Sequence, residues 1–158
     1  MATLYRIASS LDSNEKIEVF NQQKQKLSVI FQRHMEIHQS GSSDYLPVIK
    51  ELIVYMSKTF HEENMVMMDA HYPDFLEHAK AHQRFTEKIE EFLRSYKQGD
   101  SNLGFKMFVF LKEWIHEHTS KLDTECAEYL RANALELKET AEGDATFDNS
   151  LLIYYLNK

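Results

Sequence analysis

The chain has 158 residues, 43% of them apolar, with only 4 Gly and 2 Pro; that is enough for one domain with its own core, and too few turn-formers for a sheet-rich or linker-rich protein. Its 18 Lys and Arg against 25 Asp and Glu give a net charge of -7, which repels phosphate backbones and anionic head groups, so nucleic acid is not an expected partner. A single cysteine, Cys126, excludes an internal disulfide, the opening MATLYRIASSLDSNEKIEV lacks an apolar signal core, and no stretch approaches the roughly 18 apolar residues of a membrane span. The reading is a soluble, cytoplasmic protein with no membrane partner.

Helices that bury one stripe repeat their apolar residues at alternating steps of three and four. The first such seam reads Ile17, Phe20, Lys24, Leu27, Phe31, His34, His38, with Lys24 as its one cationic entry, and the stretch SGSSDYLP then supplies a stop, a cap and a proline. His34 and His38, near the end of this helix, are expected to be partly exposed. The second seam, on a helix from about Tyr45 to Ala70, reads Ile49, Leu52, Met56, Thr59, Glu63, Val66. It turns a carboxylate inward, and a buried lone carboxylate requires a partner.

After HYPD, where Asp74 follows Pro73 as an early helix residue, the third seam reads Phe75, His78, His82, Phe85, Ile89, Phe92, Tyr96. The two histidines lie about 6 Å apart along the axis and about 40° around it, so both can reach one ion. The fourth helix follows QGDSNLG and reads Met107, Leu111, Trp114, His118, then continues only if it restarts one residue late at Asp123, Ala127, Leu130, Ala134, Leu137. A wide turn lets a five-residue step behave like a four-residue one, which predicts a π-type bulge between His118 and Asp123. The helical pattern stops at Gly143, which divides the chain into a bundle over 1–142, with a short N-terminal arm, and a tail over 143–158. The apolar end of that tail is expected to dock on the bundle, or to serve a protein partner or self-association.

Four helices joined by short connections make an all-α, antiparallel up-and-down bundle, whose interior is a usual place for a metal site. Three imidazoles with carboxylates from two other places suit a first-row transition metal, iron being favoured where positions stay open for a small ligand. The candidate metal ligands are Glu63, His78, His82, His118 and Asp123.

At these residues the chain resembles the bacterial hemerythrins. YPDFLEHAKAH is similar to that family's tyrosine-proline turn and His-x-x-x-His helix, WIHEHTSKLD to its tryptophan, histidine and aspartate run, and TFHEENMVM to the segment carrying its glutamate. The likeness spans about residues 17 to 130. It implies a non-haem di-iron site that binds molecular oxygen, with His78, His82 and His118 on one iron and Glu63 and Asp123 bridging to a second.

Two departures stand out in this alignment. The family's first-helix histidine falls on Lys24 and its second-helix histidine on Thr59, so the second-iron site is incomplete. Thr119 also stands where an apolar residue usually follows the fourth-helix histidine. The resemblance therefore implies one or two irons and a small diatomic ligand, O2 or NO, that is stored or sensed. The alternatives are a metal-free interaction module or a redox enzyme acting on peroxide or O2. Zincin-type hydrolysis is disfavoured, because Ala79, Lys80 and Ala81 stand between His78 and His82 where a glutamate base would be needed.

Overall fold

A computed structural model describes residues 11–134. Four rods make up the domain: α1 (Ser13–Gln39), α2 (Leu46–Asp69), α3 (Phe75–Lys97), and a last rod built from α4 (Leu103–Trp114), a π-helical segment (Ile115–Leu122) and α5 (Asp123–Ala132). Among the described residues there are no strands, and no helix is long and apolar enough to cross a membrane. Ala134, expected on the fourth seam, lies past the end of the last helix, which closes at Ala132 with Asn133 as its cap; the expectations for the tail over 143–158, for the end of the helical pattern at Gly143, and for Leu137 lie outside the described residues.

Local signals explain where each rod begins and ends. Asp12 caps α1 by accepting from the amides of Asn14 and Glu15, while the Glu15 side chain returns to the Asp12 amide in a reciprocal capping box. Pro47 sits in the first turn of α2, where its missing N–H leaves no bond unmade. Helix α3 closes on Gly99 at φ 73°, with the amides of Gly99 and Asp100 returned to the carbonyls of Tyr96 and Ser95. Such a left-handed closure favours glycine. The same closure ends α2 with His71 at φ 52°, although a side chain disfavours that conformation. Asp74 precedes α3 as its cap position rather than standing inside it, and its side chain makes no capping bond.

Three pairs fix the antiparallel order. Lys16 at the start of α1 pairs with Asp69 at the end of α2 at 2.5 Å, Arg33 late in α1 pairs with Glu51 early in α2, and the Tyr96 hydroxyl at the end of α3 donates to Asp44 just before α2 at 2.9 Å. Helix α5 packs back on α1 and closes the ring.

The interior has two apolar blocks. The larger gathers Leu27, Ile49, Leu52, Phe85, Ile89, Phe92, Met107, Leu111 and Trp114 from all four rods. The smaller gathers Ile17, Phe20, Val66, Met67, Tyr72, Cys126 and Leu130 at the end of the bundle where α1 begins. Each fully buried Leu or Phe side chain contributes about 1.5–3 kcal/mol. Polar side chains fill the layer between the blocks, so apolar packing above and below holds them in place. Met65, Met67 and Met68 are buried, as packing residues would be.

The π segment matches the break in the fourth seam. The Asp123 amide donates to the His118 carbonyl five residues back, and the Thr119 hydroxyl donates to the Ile115 carbonyl at 2.6 Å, with Ser120 on the same acceptor at 3.2 Å. His118 and Asp123 consequently both face the interior. The wide turn adds the one residue that the two halves of the seam require.

The inward row of α1 differs from the one expected. Lys24 is exposed; the buried row is Ile17, Phe20, Gln23, Leu27, Ile30, His34, while Phe31 is half-buried and His38 exposed. From Phe20, steps of three and four reach Gln23 and Lys24 respectively, both polar, and packing against α2 selects the first. His34 is fully buried rather than partly exposed. Tyr45 covers it at a ring separation of 5.3 Å, and Gly104 leaves room for Tyr45, since a Cβ there would lie 2.1 Å from the Tyr45 hydroxyl.

Candidate metal centre

Five side chains from three rods converge between the apolar blocks. The Nε2 atoms of His78 and His82 on α3 lie 3.1 and 3.2 Å from Nε2 of His118. Glu63 on α2 brings Oε2 to 3.0 Å from His82 Nε2. Asp123 brings Oδ1 to 3.2 Å from His78 Nε2 and 3.3 Å from His118 Nε2. Ligand atoms of Glu63, His78, His82 and His118 all lie within 4.8 Å of one another, and all five residues are buried. Every candidate site residue read from the sequence is therefore in this cluster; Lys24 is outside it.

Aromatic planes set the orientation of two rings. Phe60 stacks on His82 with centroids 4.0 Å apart and planes 9° apart, and Trp114 stacks on His118 at 4.0 Å and 13°. The Nδ1–H of His82 donates to Asn64 Oδ1 at 3.0 Å. That bond fixes the tautomer in which the Nε2 lone pair points at the cluster. Replacing Asn64 by Leu is expected to lower metal affinity about 10–100-fold while the helical content stays unchanged. Competition against a chelator measures it, and an unchanged affinity would show that His82 needs no such support.

The electrostatics suit a cation. Burial pushes the His82 pKa well below its ordinary value, with His118 and His78 pushing the same way. Burial also lowers His118, against the opposing pull of Asp123. Burial raises Glu63 well above the carboxylate range, helped by Asp123 and Glu62 and opposed by Lys26. Burial alone would raise Asp123 as well, but His118 and His78 more than offset it and hold it low. Despite the short distances, Glu63 Oε2 and Asp123 Oδ1 lack a well-formed hydrogen bond. Three imidazole Nε2 atoms and two carboxylate oxygens meet in one buried place, and a cation held by Glu63, His78, His82 and His118, with Asp123 beside it, would compensate them.

A different arrangement occupies the neighbouring space between α1 and α2. Thr59, one turn before Glu63, donates its hydroxyl to Gln23 Oε1 at 2.7 Å, and Gln23 Nε2 donates to Glu62 at 2.7 Å. Lys26 adds a bond to Gln23 Oε1 at 3.2 Å. Gln23 and Thr59 are each 1% exposed, so an amide and a hydroxyl fill this space with their bonds made to each other. The sequence pattern did not single out Gln23, Asn64 or Phe60; only the step of three from Phe20 and the closeness of the other two to Glu63 hinted at them.

A bundle that buries three imidazoles and two carboxylates at its centre is a metal-binding four-helix protein in its architecture. Residues 15–130 match the family model described as the hemerythrin HHE cation binding domain, and the chain belongs to that family. A bacteriohemerythrin of Campylobacter jejuni is 29% identical over 119 residues, covering 75% of this chain and 84% of the relative. Another, from Ralstonia nicotianae, is 24% identical over 102 residues, covering 65% of this chain and 74% of the relative. No solved structure matches the chain significantly.

Proposed function

We propose that this protein is a non-haem iron protein that holds one iron per chain and binds a small diatomic ligand, O2 or NO, which it stores or senses. The observation carrying this reading is the meeting of the His78, His82 and His118 Nε2 atoms beside Glu63 and Asp123. Iron held by these residues would supply Lewis acidity toward a small ligand.

The protein's own groups do the rest. His82 and His118 present neutral nitrogens, because burial lowers the pKa of both, and His78 brings its Nε2 beside them. Glu63 and Asp123 supply the compensating negative charge. Phe60 and Trp114 exclude water from the flanks of the rings. The Thr119 hydroxyl is engaged with the Ile115 carbonyl, so it does not present a free donor to the ligand. An open cleft of about 220 Å³ between α3 and the last rod is lined by Ala81, Phe110, Trp114, His118 and Leu122, with Arg84, Glu113 and Glu117 also in its lining. It is smaller than the roughly 300 Å³ at which drug-sized sites begin, and a diatomic molecule fits.

What supports a single iron is that Gln23 and Thr59 bond to each other near Glu63, and Thr59 stands where the resemblance puts a nitrogen ligand of a second metal. Metal analysis after reconstitution with ferrous iron under reducing, anaerobic conditions is expected to return one iron per chain. Adding NO is expected to produce a new optical band and a paramagnetic resonance signal. A protein that retains no iron after dialysis, or retains iron and shows no change with NO, overturns the reading.

A further inference from the structure

The face between α1 and α2 carries a groove of about 570 Å³. Its walls include Val29 and Val54, which are 62% and 66% exposed, two of the four exposed large apolar residues among those described; its floor includes Ile30 and Tyr55. Lys26, Lys50 and Lys58 stand around it with one acid, Glu51, which is paired with Arg33. The other two exposed apolar residues, Leu76 and Phe105, lie outside this groove. Two aliphatic side chains left in water beside one groove, with three cations at its rim and its one acid already paired, call for an apolar occupant with acidic flanks.

The chain supplies one. Its last residues include Leu151, Leu152, Ile153, Tyr154, Tyr155 and Leu156, a run more apolar than a solvated terminus requires. The stretch leading to it carries Glu136, Glu139, Glu142, Asp144 and Asp148 against Lys138 alone. We propose that residues 147–156 bind in the α1/α2 groove of the same chain, their apolar side chains covering Val29 and Val54 and the preceding acids facing Lys26, Lys50 and Lys58.

The reach is sufficient. The Tyr129 hydroxyl near the end of α5 donates to the carbonyls of Ala70 and His71, at 3.2 and 3.3 Å, which puts the last described residues at the end of the bundle where α2 stops and α1 starts. From Ile17, at that end, Lys26 and Ile30 lie about 14 and 20 Å along α1. Helix α5 packs on α1 and α1 on α2, so the path crosses one helix, about 10 Å wide. Sixteen residues separate Ala134 from Leu151, and extended they span on the order of 50 Å. An intramolecular segment on such a tether meets its groove at an effective concentration in the millimolar range, far above that of a separate partner.

The test uses the full chain with Val54 replaced by the photo-crosslinker p-benzoylphenylalanine. Irradiation is expected to give a product of monomer mass in which a peptide from 147–156 is attached at position 54. Attachment to a second copy, attachment elsewhere in the same chain, or no attachment overturns the proposal. A second measurement uses the full chain without the crosslinker. Acetylation of Lys50 and Lys58 by an amine-reactive reagent is expected to accelerate several-fold in Leu152→Asp/Ile153→Asp, with helical content unchanged. Equal rates in the two proteins overturn it as well.

Discussion

Changing Gln23 and Thr59 together to histidine is expected to raise bound iron from one to two per chain. The two side chains meet at 2.7 Å across the α1/α2 interface, each almost wholly buried. Position 59 lies one turn before Glu63 on the same face of α2, the relation that His78 has to His82 on α3. Two imidazoles there would offer nitrogens on the far side of Glu63 and Asp123, the carboxylates to which the hemerythrin resemblance assigns bridging. The change removes three hydrogen bonds, those from Thr59 and Lys26 to Gln23 and that from Gln23 to Glu62, a loss of about 1 kcal/mol each that a bound metal more than offsets. The contrasting variant is Lys24→His/Thr59→His. Because Lys24 is exposed, its replacement points at solvent and the count should stay at one. Iron analysis beside optical spectra reads both. A second iron in the Lys24 variant, or none gained in the Gln23 variant, would show that the inward row of α1 is not the one described.

That pair of variants marks the boundary of what could be read from the sequence. His78, His82, Glu63 and Asp123 were legible because apolar residues bracket each polar pair on its seam, Met56 and Val66 around Thr59 and Glu63, Phe75 and Phe85 around the two histidines, Trp114 and Ala127 around His118 and Asp123, so rotation of the helix is over-determined. The π segment was legible because two good seams in one rod fail to join by a single residue, and only a wide turn reconciles them. At Gln23 and Lys24 the seam offers polar residues at both permitted steps. Nothing local distinguishes them, and the decision is made by α2 through Thr59. The burial of His34 is illegible for a related reason: Tyr45 and Gly104, which cover and accommodate it, belong to later parts of the chain. Asn64 and Phe60 act on His82 through a contact between rods, and no spacing within α2 announces a hydrogen bond or a ring stack on α3.

Replacing Glu63 by Gln is expected to make the metal-free protein more stable at neutral pH while its affinity for iron collapses. The Glu63 carboxyl is 1% exposed, and burial raises its pKa well above the ordinary value of 4.5. A group whose pKa is raised on folding stabilises the fold fully below its unfolded value, and that stabilisation is lost as pH rises through the folded one. His82 and His118 work in the opposite sense. Their folded pKa values lie below the ordinary 6.5, so their stabilisation is present above 6.5 and lost as pH falls below it. The metal-free native chain is therefore squeezed from both sides, and iron relieves both by taking up the carboxylate charge and the nitrogen lone pairs. In Glu63→Gln the alkaline-side loss disappears, and the new amide N–H can donate to His82 Nε2, 3.0 Å from the present oxygen. A gain of about 0.5–2 kcal/mol, or roughly 2–6 °C in melting temperature, is expected at pH 7.5, with the advantage shrinking toward pH 4.5. Iron affinity should fall by more than the roughly 10–100-fold that losing an outer partner costs. Thermal melts of chelator-treated protein across that pH range, beside iron titrations, test both halves. A variant less stable than the native chain at pH 7.5 without metal would mean that the buried carboxylate is already compensated by the protein, and that the cluster has no need of a cation.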